Sequence, residues 1–417
     1  MVLSADHAAP RVSFDVVYRI GHADDPPGRP MMASFMAELL AGAATRHLGR
    51  AQRAGLFLSL GLEPVAAQTV TRLDDTQITV ADVPSNQLEL YLWLLADRFA
   101  FGLDELDDAA LRDARAAVDK AHAETESRPH ALVGDRLREA LYGPSHPYGV
   151  TMNGDAGALA QLTPAEIRAR ARALYTPANA ALVVTGDFAP AAARALVEKY
   201  FGPIAKGPPL PAPREVPPAR LPGERRLQLE AGVPEAQLVL AWPTARFAQP
   251  DDLALDLLAG LLTHRLQHRL LGDGKPFENV SVAQLSRTRE SCFVITVTLA
   301  PGGSAAAALP LVDAELDRLR AADTSPDELH AVMAEQLGHL GAIADSSRYR
   351  ALRLGSSWGL GADPTYLGPS FAAYTVHSAA SLRAAALANL PPGKRVVALV
   401  IPSREAPPAG RFAPGAP

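Results

Sequence analysis

The sequence predicts two homologous halves that mix strands and helices, each α+β or α/β in class. Three observations predict it. Runs with a two-residue apolar period alternate with runs of helical period, so strands and helices share each half. The stretch "GPPLPAPREVPPARLPG" at 207–223 lies almost at the midpoint of the 417 residues and reads as an extended, exposed linker. The same order of elements recurs on either side of it, the mark of an internal duplication.

The first half opens with the strand "VSFDVVYRI", the polar stretch "GHADDPPGRP" and an apolar helix at 31–42. The second opens with "AQLVLAWPT", then "ARFAQPDD", then the helix "LALDLLAGLLTHRLQHRL". The strand "TQITVADVP" and helix "LELYLWLLADRF" match "CFVITVTLAPG" and "ALPLVDAELDRLR". Acid-capped helix starts follow in both halves, "LDELDDAALRDARAAVDKAHAE" and "SPDELHAVMAEQLGHL". Each half closes on a helix, a proline-marked turn and a strand: "TPAEIRARARALYTPANAALVVTGDF" and "SAASLRAAALANLPPGKRVVALVIP". The expected boundaries are an N-terminal domain at 1–206, the linker at 207–223, a C-terminal domain at 224–405 and a flexible tail at 406–417.

Composition narrows the function. Hydrophobic content of 48% and charged content of 20% describe a soluble globular protein, and the net charge of −5 argues against nucleic acid as a partner. No apolar run reaches the ~18 residues of a membrane span. "MVLSADHAAPR" has no signal-peptide pattern, which makes the cytoplasm the expected compartment. The single cysteine, Cys292, lies in a strand pattern and reads as a buried, inert thiol.

The segments "YRIGHADDPPGR", "LELYLWLLADRF", "REALYGPSHPYG", "LTPAEIRARARALYTPANAALVVTGDF" and "VVALVIP", in this order, resemble the pitrilysin or insulinase family of zinc peptidases, peptidase family M16. That family includes mitochondrial processing peptidase. The resemblance spans about residues 10 to 402. It implies an α+β fold of two homologous α/β-sandwich domains, each an antiparallel-rich sheet flanked by helices, forming half of a clamshell that closes around a peptide, often as a pair of two-domain subunits. Family members begin with a further strand and turn, to which only "MVL" corresponds here.

In that family a helix carries His-x-x-Glu-His: two histidines on one helix face hold zinc, and the Glu activates a water. Counted from "GHADDPPGR", those positions fall on Ser34, Ala37 and Glu38. The third ligand is the second Glu of a Glu-x6-Glu pair, which falls on Asp113 and Lys120, or on Asp119 in a register shifted by one. A serine is a poor zinc ligand, an alanine is no base, and an ammonium repels a divalent ion. The resemblance therefore implies no catalytic residue and no metal in this chain, and a Glu38–Lys120 ion pair in the metal's place. The family's Arg and Tyr, seven residues apart in the second half, map to Leu271 and Glu278, or to Asp273 and Val280 with the strand shifted. Neither register restores them.

Other candidates are weaker. His264 and His268 share metal spacing but have no nearby third ligand in sequence. "LAPGGSAAAA" lacks the phosphate-loop pattern and reads as a turn. Arg265, Arg269 and Lys275 in "HRLQHRLLGDGK" are candidates to face an acidic peptide or a partner, against the default of a solvated helix face. "TRLDDTQITVADV" resembles the sheet edge on which active members pair an extended substrate, through main-chain bonds that need no particular side chain.

The function the resemblance implies is that of a non-catalytic subunit of a heterodimeric zinc peptidase. Its partner is a homologous chain that keeps His-x-x-Glu-His and carries the zinc, and its substrate is a peptide. The Ala-, Arg- and Pro-rich usage suits a bacterial chain from a GC-rich genome. The alternative is a structural or binding protein of the same fold with no proteolytic partner.

Overall fold

A computed structural model describes residues 1–42, 44–60, 69–72, 75–103, 106–126, 131–149, 157–209, 216–272, 276–403 and 411–412. From the start come β1 (Val2–Ala5), β2 (Arg11–Tyr18), α1 (Met32–Gly42), α2 (Arg50–Ser59), β3 (Thr69–Arg72) and β4 (Gln77–Pro84). Helices α3 (Leu88–Phe101), α4 (Asp108–Glu126), α5 (Ala131–Tyr142), α6 (Gly157–Ala160) and α7 (Pro164–Leu174) follow, then β5 (Ala180–Gly186) and α8 (Pro190–Phe201). The second half runs β6 (Arg225–Ala231), β7 (Gln237–Thr244), α9 (Pro250–Leu270), β8 (Phe277–Leu285), β9 (Ser291–Leu299) and α10 (Ala305–Ala321). It ends with α11 (Pro326–Asp345), α12 (Ser347–Gly359), α13 (Leu367–Thr375), α14 (Ala379–Asn389), β10 (Val396–Pro402) and β11 (Arg411–Phe412).

Strand order makes the duplication explicit. The first sheet is ordered β1-β5-β2-β4-β3 and the second β11-β6-β10-β7-β9-β8. Apart from β11, each strand of the second sheet takes the place of its counterpart in the first. Both sheets have one parallel pair, β1 with β5 and β6 with β10, and are otherwise antiparallel. The first five residues, with no long apolar run of their own, become a strand because β5 offers them a free edge.

Helix starts follow from local chemistry. Thr163 caps α7 by accepting from the Glu166 amide while the Glu166 carboxylate reaches back to the Thr163 amide, with Pro164 at the first helical position. Ser325 and Glu328 make the same reciprocal pair at the start of α11.

The first sheet is covered on both faces. Val12, Phe14, Val16 and Tyr18 of β2 join the main core with α1, α3 and α8. The alternate residue Val17 joins Ile78, Val80 and Ala181 in a smaller cluster against Leu352 and Trp358 of α12. α12 is tied down by Thr185 Oγ1 donating to the Ser347 carbonyl at 2.6 Å and by Arg350 on Asp6 at 2.9 Å. Gly355 lets it sit close, since a Cβ there would lie 2.7 Å from Val17 Cγ2.

The compact units do not follow the boundaries read from the sequence. One comprises 1–121, 152–214 and 340–367; the other comprises 122–151, 215–339 and 368–417. The segment that carries α12 thus belongs with the first sheet, and the one that carries α5 with the second, where Val133 packs among Leu229, Ala231, Val233 and Val400. A proline-rich linker marks where backbone is extended and exposed. It does not mark where the apolar faces of distant helices find their cover.

Candidate functional site

α1 is an Ala-, Met- and Leu-rich helix buried along most of its length. Its approach is a tight turn in which Gly28 and Met31 adopt positive φ of 75° and 65°. Asp25 closes the turn by accepting from the Ala33 amide at 2.8 Å, which satisfies a first-turn donor of the helix.

The positions aligned with a zinc site hold a different construction. Ser34 Oγ lies 3.2 Å from His22 Nε2, and His22 Nδ1 lies 3.3 Å from Asp25 Oδ2. The atom order is that of a Ser-His-Asp triad, but Ser34 is 2% exposed, so its hydroxyl is sealed from any acyl group in solution. These contacts fasten α1 to the loop before it. Ala37 is a buried methyl one turn along, and Glu38 is half-buried. Lys120 stands exposed near the end of α4. Asp113 of α4 pairs with Arg50 of α2, so the other member of the expected acidic pair serves to join two helices.

These residues do not fit a zinc ion. The hydroxyl is engaged by an imidazole, the methyl offers no electron pair, and the ammonium carries the wrong charge. Among the described residues no group of three or more His, Cys, Asp or Glu side chains is arranged to hold a metal.

In the second half Leu271 is half-buried, Glu278 is exposed on β8 and Val280 is buried; Asp273 lies outside the described residues. Arg265 makes a bidentate pair with Glu328, its Nε and Nη2 at 2.7 and 2.9 Å, which ties α9 to α11. Glu315 on α10, buried, gathers Arg265, Arg269 and Arg318 at 3.7, 3.9 and 3.0 Å. The guanidinium of Arg265 is therefore committed within the unit, and the groove beside it carries both signs of charge. Lys275 lies outside the described residues. His264 pairs with Glu335 at 3.0 Å. Cys292 is buried and forms no disulfide.

A second buried cluster surrounds His146 in the second unit. Its ring stacks on Tyr142 with centroids 4.9 Å apart, and its Nδ1 accepts from the Tyr148 amide at 3.1 Å. Burial, then Arg289 and Arg287, push its pKa down to about 4. Glu290, whose Oε2 lies 3.8 Å from His146 Nε2, is pushed up to about 7 by burial, opposed by the bond it accepts from the Ala219 amide. Sequence reasoning missed His22 and Asp25, although the sequence held a signal for Asp25: an acidic residue just ahead of an apolar helix.

Residues 161–366 match the family model for the Peptidase M16 inactive domain. No curated protein sequence matches the chain. Among solved structures, a protease from Helicobacter pylori superposes with a TM-score of 0.82 at 18% identity, over 96% of this chain and 97% of that one. A peptidase M16 inactive domain from Pseudomonas fluorescens gives 0.82 at 19%, over 96% and 95%. The first half of the periplasmic protease PqqL from Escherichia coli gives 0.80 at 15%, over 96% and 89%. Residues 161–366 thus match the family's inactive domain, and the chain has the fold of M16-like peptidases over 96% of its length.

Proposed function

We propose that this chain is the non-catalytic subunit of a heterodimeric zinc peptidase. It closes the chamber and holds the peptide for a homologous subunit that carries His-x-x-Glu-His and the zinc. The observation that carries this proposal is the replacement set at Ser34, Ala37, Glu38 and Lys120, which removes ligands and base while α1 itself is kept as a buried, well-tied helix. Most of the stretch read as a sheet edge is β4, which pairs with β2 on one side and β3 on the other. Support for peptide holding comes from β3, an edge strand of the first sheet among the described residues, where an extended peptide gains main-chain bonds whatever its side chains. The cytoplasm is the compartment of this proposal, checked by cell fractionation.

In the same proposal Glu38 and Lys120 form an ion pair across α1 and α4. Lys120 is exposed, so the pair contributes at most ~1 kcal/mol. A double-mutant cycle on Glu38→Gln and Lys120→Met with no coupling removes it.

The deciding experiment combines the purified chain with a homologue that keeps the zinc motif, encoded beside it, and follows cleavage of an unfolded peptide. The expected result is a stable complex that cleaves faster than the homologue alone, with no cleavage by this chain alone. Zinc bound stoichiometrically by the isolated chain, together with cleavage lost on chelation, overturns the proposal. The alternative of a structural subunit takes its support from the fold's appearance in Complex III2 from Candida albicans, at a TM-score of 0.78 and 13% identity. A complex that forms without any gain in cleavage selects it.

A further inference from the structure

A cavity of about 510 Å³ opens within the first unit, lined by α3, α7 and the end of α8. Its origin is legible in the spacing. Trp93, Ala96, Ala100 and Phe101 fall on one face of α3, and Arg168, Ala171, Arg172 and Tyr175 on one face of α7 and its C-cap. Both faces line the cavity, and the short side chains of Ala96, Ala100 and Ala171 leave space that close-packed interiors normally fill.

The wall is aromatic. Tyr18 stacks on Phe99 with centroids 5.6 Å apart and meets Tyr175 at 5.1 Å. Phe101 and Tyr200 add further ring surface.

The lining charge is one-sided. Arg168 donates to the Leu103 and Leu106 carbonyls at 3.2 and 3.4 Å, neutral acceptors that hold its guanidinium in place without cancelling its charge. Arg172 is exposed one turn further along. Lys199 is offset by Glu89 at 2.9 Å. Asp97 is the one acidic side chain in the described lining, and Thr45 and His47 already occupy its carboxylate.

We propose that this cavity binds a small amphipathic carboxylate, with its apolar chain against the rings and its carboxylate on Arg168 and Arg172. The volume is that of a small-molecule site, and a planar guanidinium held by backbone carbonyls is ready to receive a carboxylate. The site is independent of the role in a peptidase pair.

The test titrates the full chain with decanoate, followed by calorimetry and by tryptophan fluorescence, where the Trp93→Phe variant identifies the reporting ring. One saturable site is expected, with 1-decanol binding at least ~10-fold more weakly. Arg172→Glu is expected to weaken decanoate by a similar factor while leaving 1-decanol unchanged. Ala171→Trp, verified as folded by circular dichroism, is expected to abolish both, and Ala100→Leu serves if that variant does not fold. No saturable binding, equal affinity for acid and alcohol, or binding that survives the folded cavity-filling variant overturns the proposal.

Discussion

Ser34 Oγ, in the first turn of α1, rests 3.2 Å from His22 Nε2 in the loop before it. The hydroxyl is buried, and the imidazole continues to Asp25, which also accepts the Ala33 amide of α1. One short chain of contacts thus fixes the start of the helix to the preceding turn.

Removing the hydroxyl tests that role. Ser34→Ala leaves His22 Nε2 facing a methyl in a buried site, at a cost of about 1–3 kcal/mol. Urea denaturation measures it. A loss below about 0.5 kcal/mol would show that the contact does not hold the helix.

Gly355 provides a test in which the usual sign reverses. Gly→Ala in the interior of a helix normally stabilises by about 1 kcal/mol. At Gly355 the new Cβ would stand 2.7 Å from Val17 Cγ2, and Val17 is a fully buried strand residue with a stiff side chain. Gly355→Ala is therefore expected to lower the melting temperature. A rise would mean that α12 lies further from the first sheet than its packing shows.

The strands β2, β4, β5, β7, β9 and β10, the helices between them and the duplication were legible in the sequence because periodicity and turn chemistry are local, whereas β1, β3 and β6 were not. "VSFDVVYRI" and "AQLVLAWPT" announced β2 and β7, and both are central strands. What else escaped was long-range. Ser347, Arg350 and Gly355 follow the linker in sequence yet cover the first sheet, and nothing in their own segment names that partner. At the candidate site the reading of Ser34, Ala37 and Lys120 as lost zinc ligands and base rests on an alignment of motifs and belongs to the proposal. The use of His22 as the serine's partner was not legible, because a lone histidine in a polar loop reads as solvent-facing. The commitment of Arg265 to Glu328, 63 residues away, was equally invisible.

Asp15 predicts a pH dependence. It is fully buried in β2, and neither carboxyl oxygen has a hydrogen-bond partner among the described residues. Burial, aided by the Asp82 charge and opposed by Arg348, pushes its pKa from 3.8 to about 8. Between those values the folded chain keeps a proton that the unfolded chain releases, so stability falls as pH rises from about 4 to 8. The loss is on the order of 5 kcal/mol. Asp15→Asn cannot ionise, so its stability relative to the parent should climb across that window and match it most closely near pH 4. Denaturation curves at pH 5 and pH 8.5 decide, and a difference that does not grow with pH would contradict the buried proton.

His146 and Glu290 predict a cancellation. Their 3.8 Å separation would suit an ion pair, but with pKa values of about 4 and about 7 both are neutral between those limits. Burial decides over proximity here. Glu290 keeps a proton in the fold that its unfolded form releases above 4.5, so its contribution declines as pH rises to about 7. His146 stays neutral in the fold while its unfolded form takes up a proton below 6.5, so its contribution declines as pH falls to about 4. From 4.5 to 6.5 the two slopes oppose each other, each approaching 1.4 kcal/mol per pH unit by linkage, ~0 in sum. Glu290→Gln removes one of them and leaves the Ala219 amide an uncharged acceptor. Its stability should therefore gain about 1.4 kcal/mol per pH unit relative to the parent across that window. Parallel stability curves for parent and variant would place the Glu290 proton in solution, and with it the carboxylate outside the cluster that His146, Tyr142 and Tyr148 build.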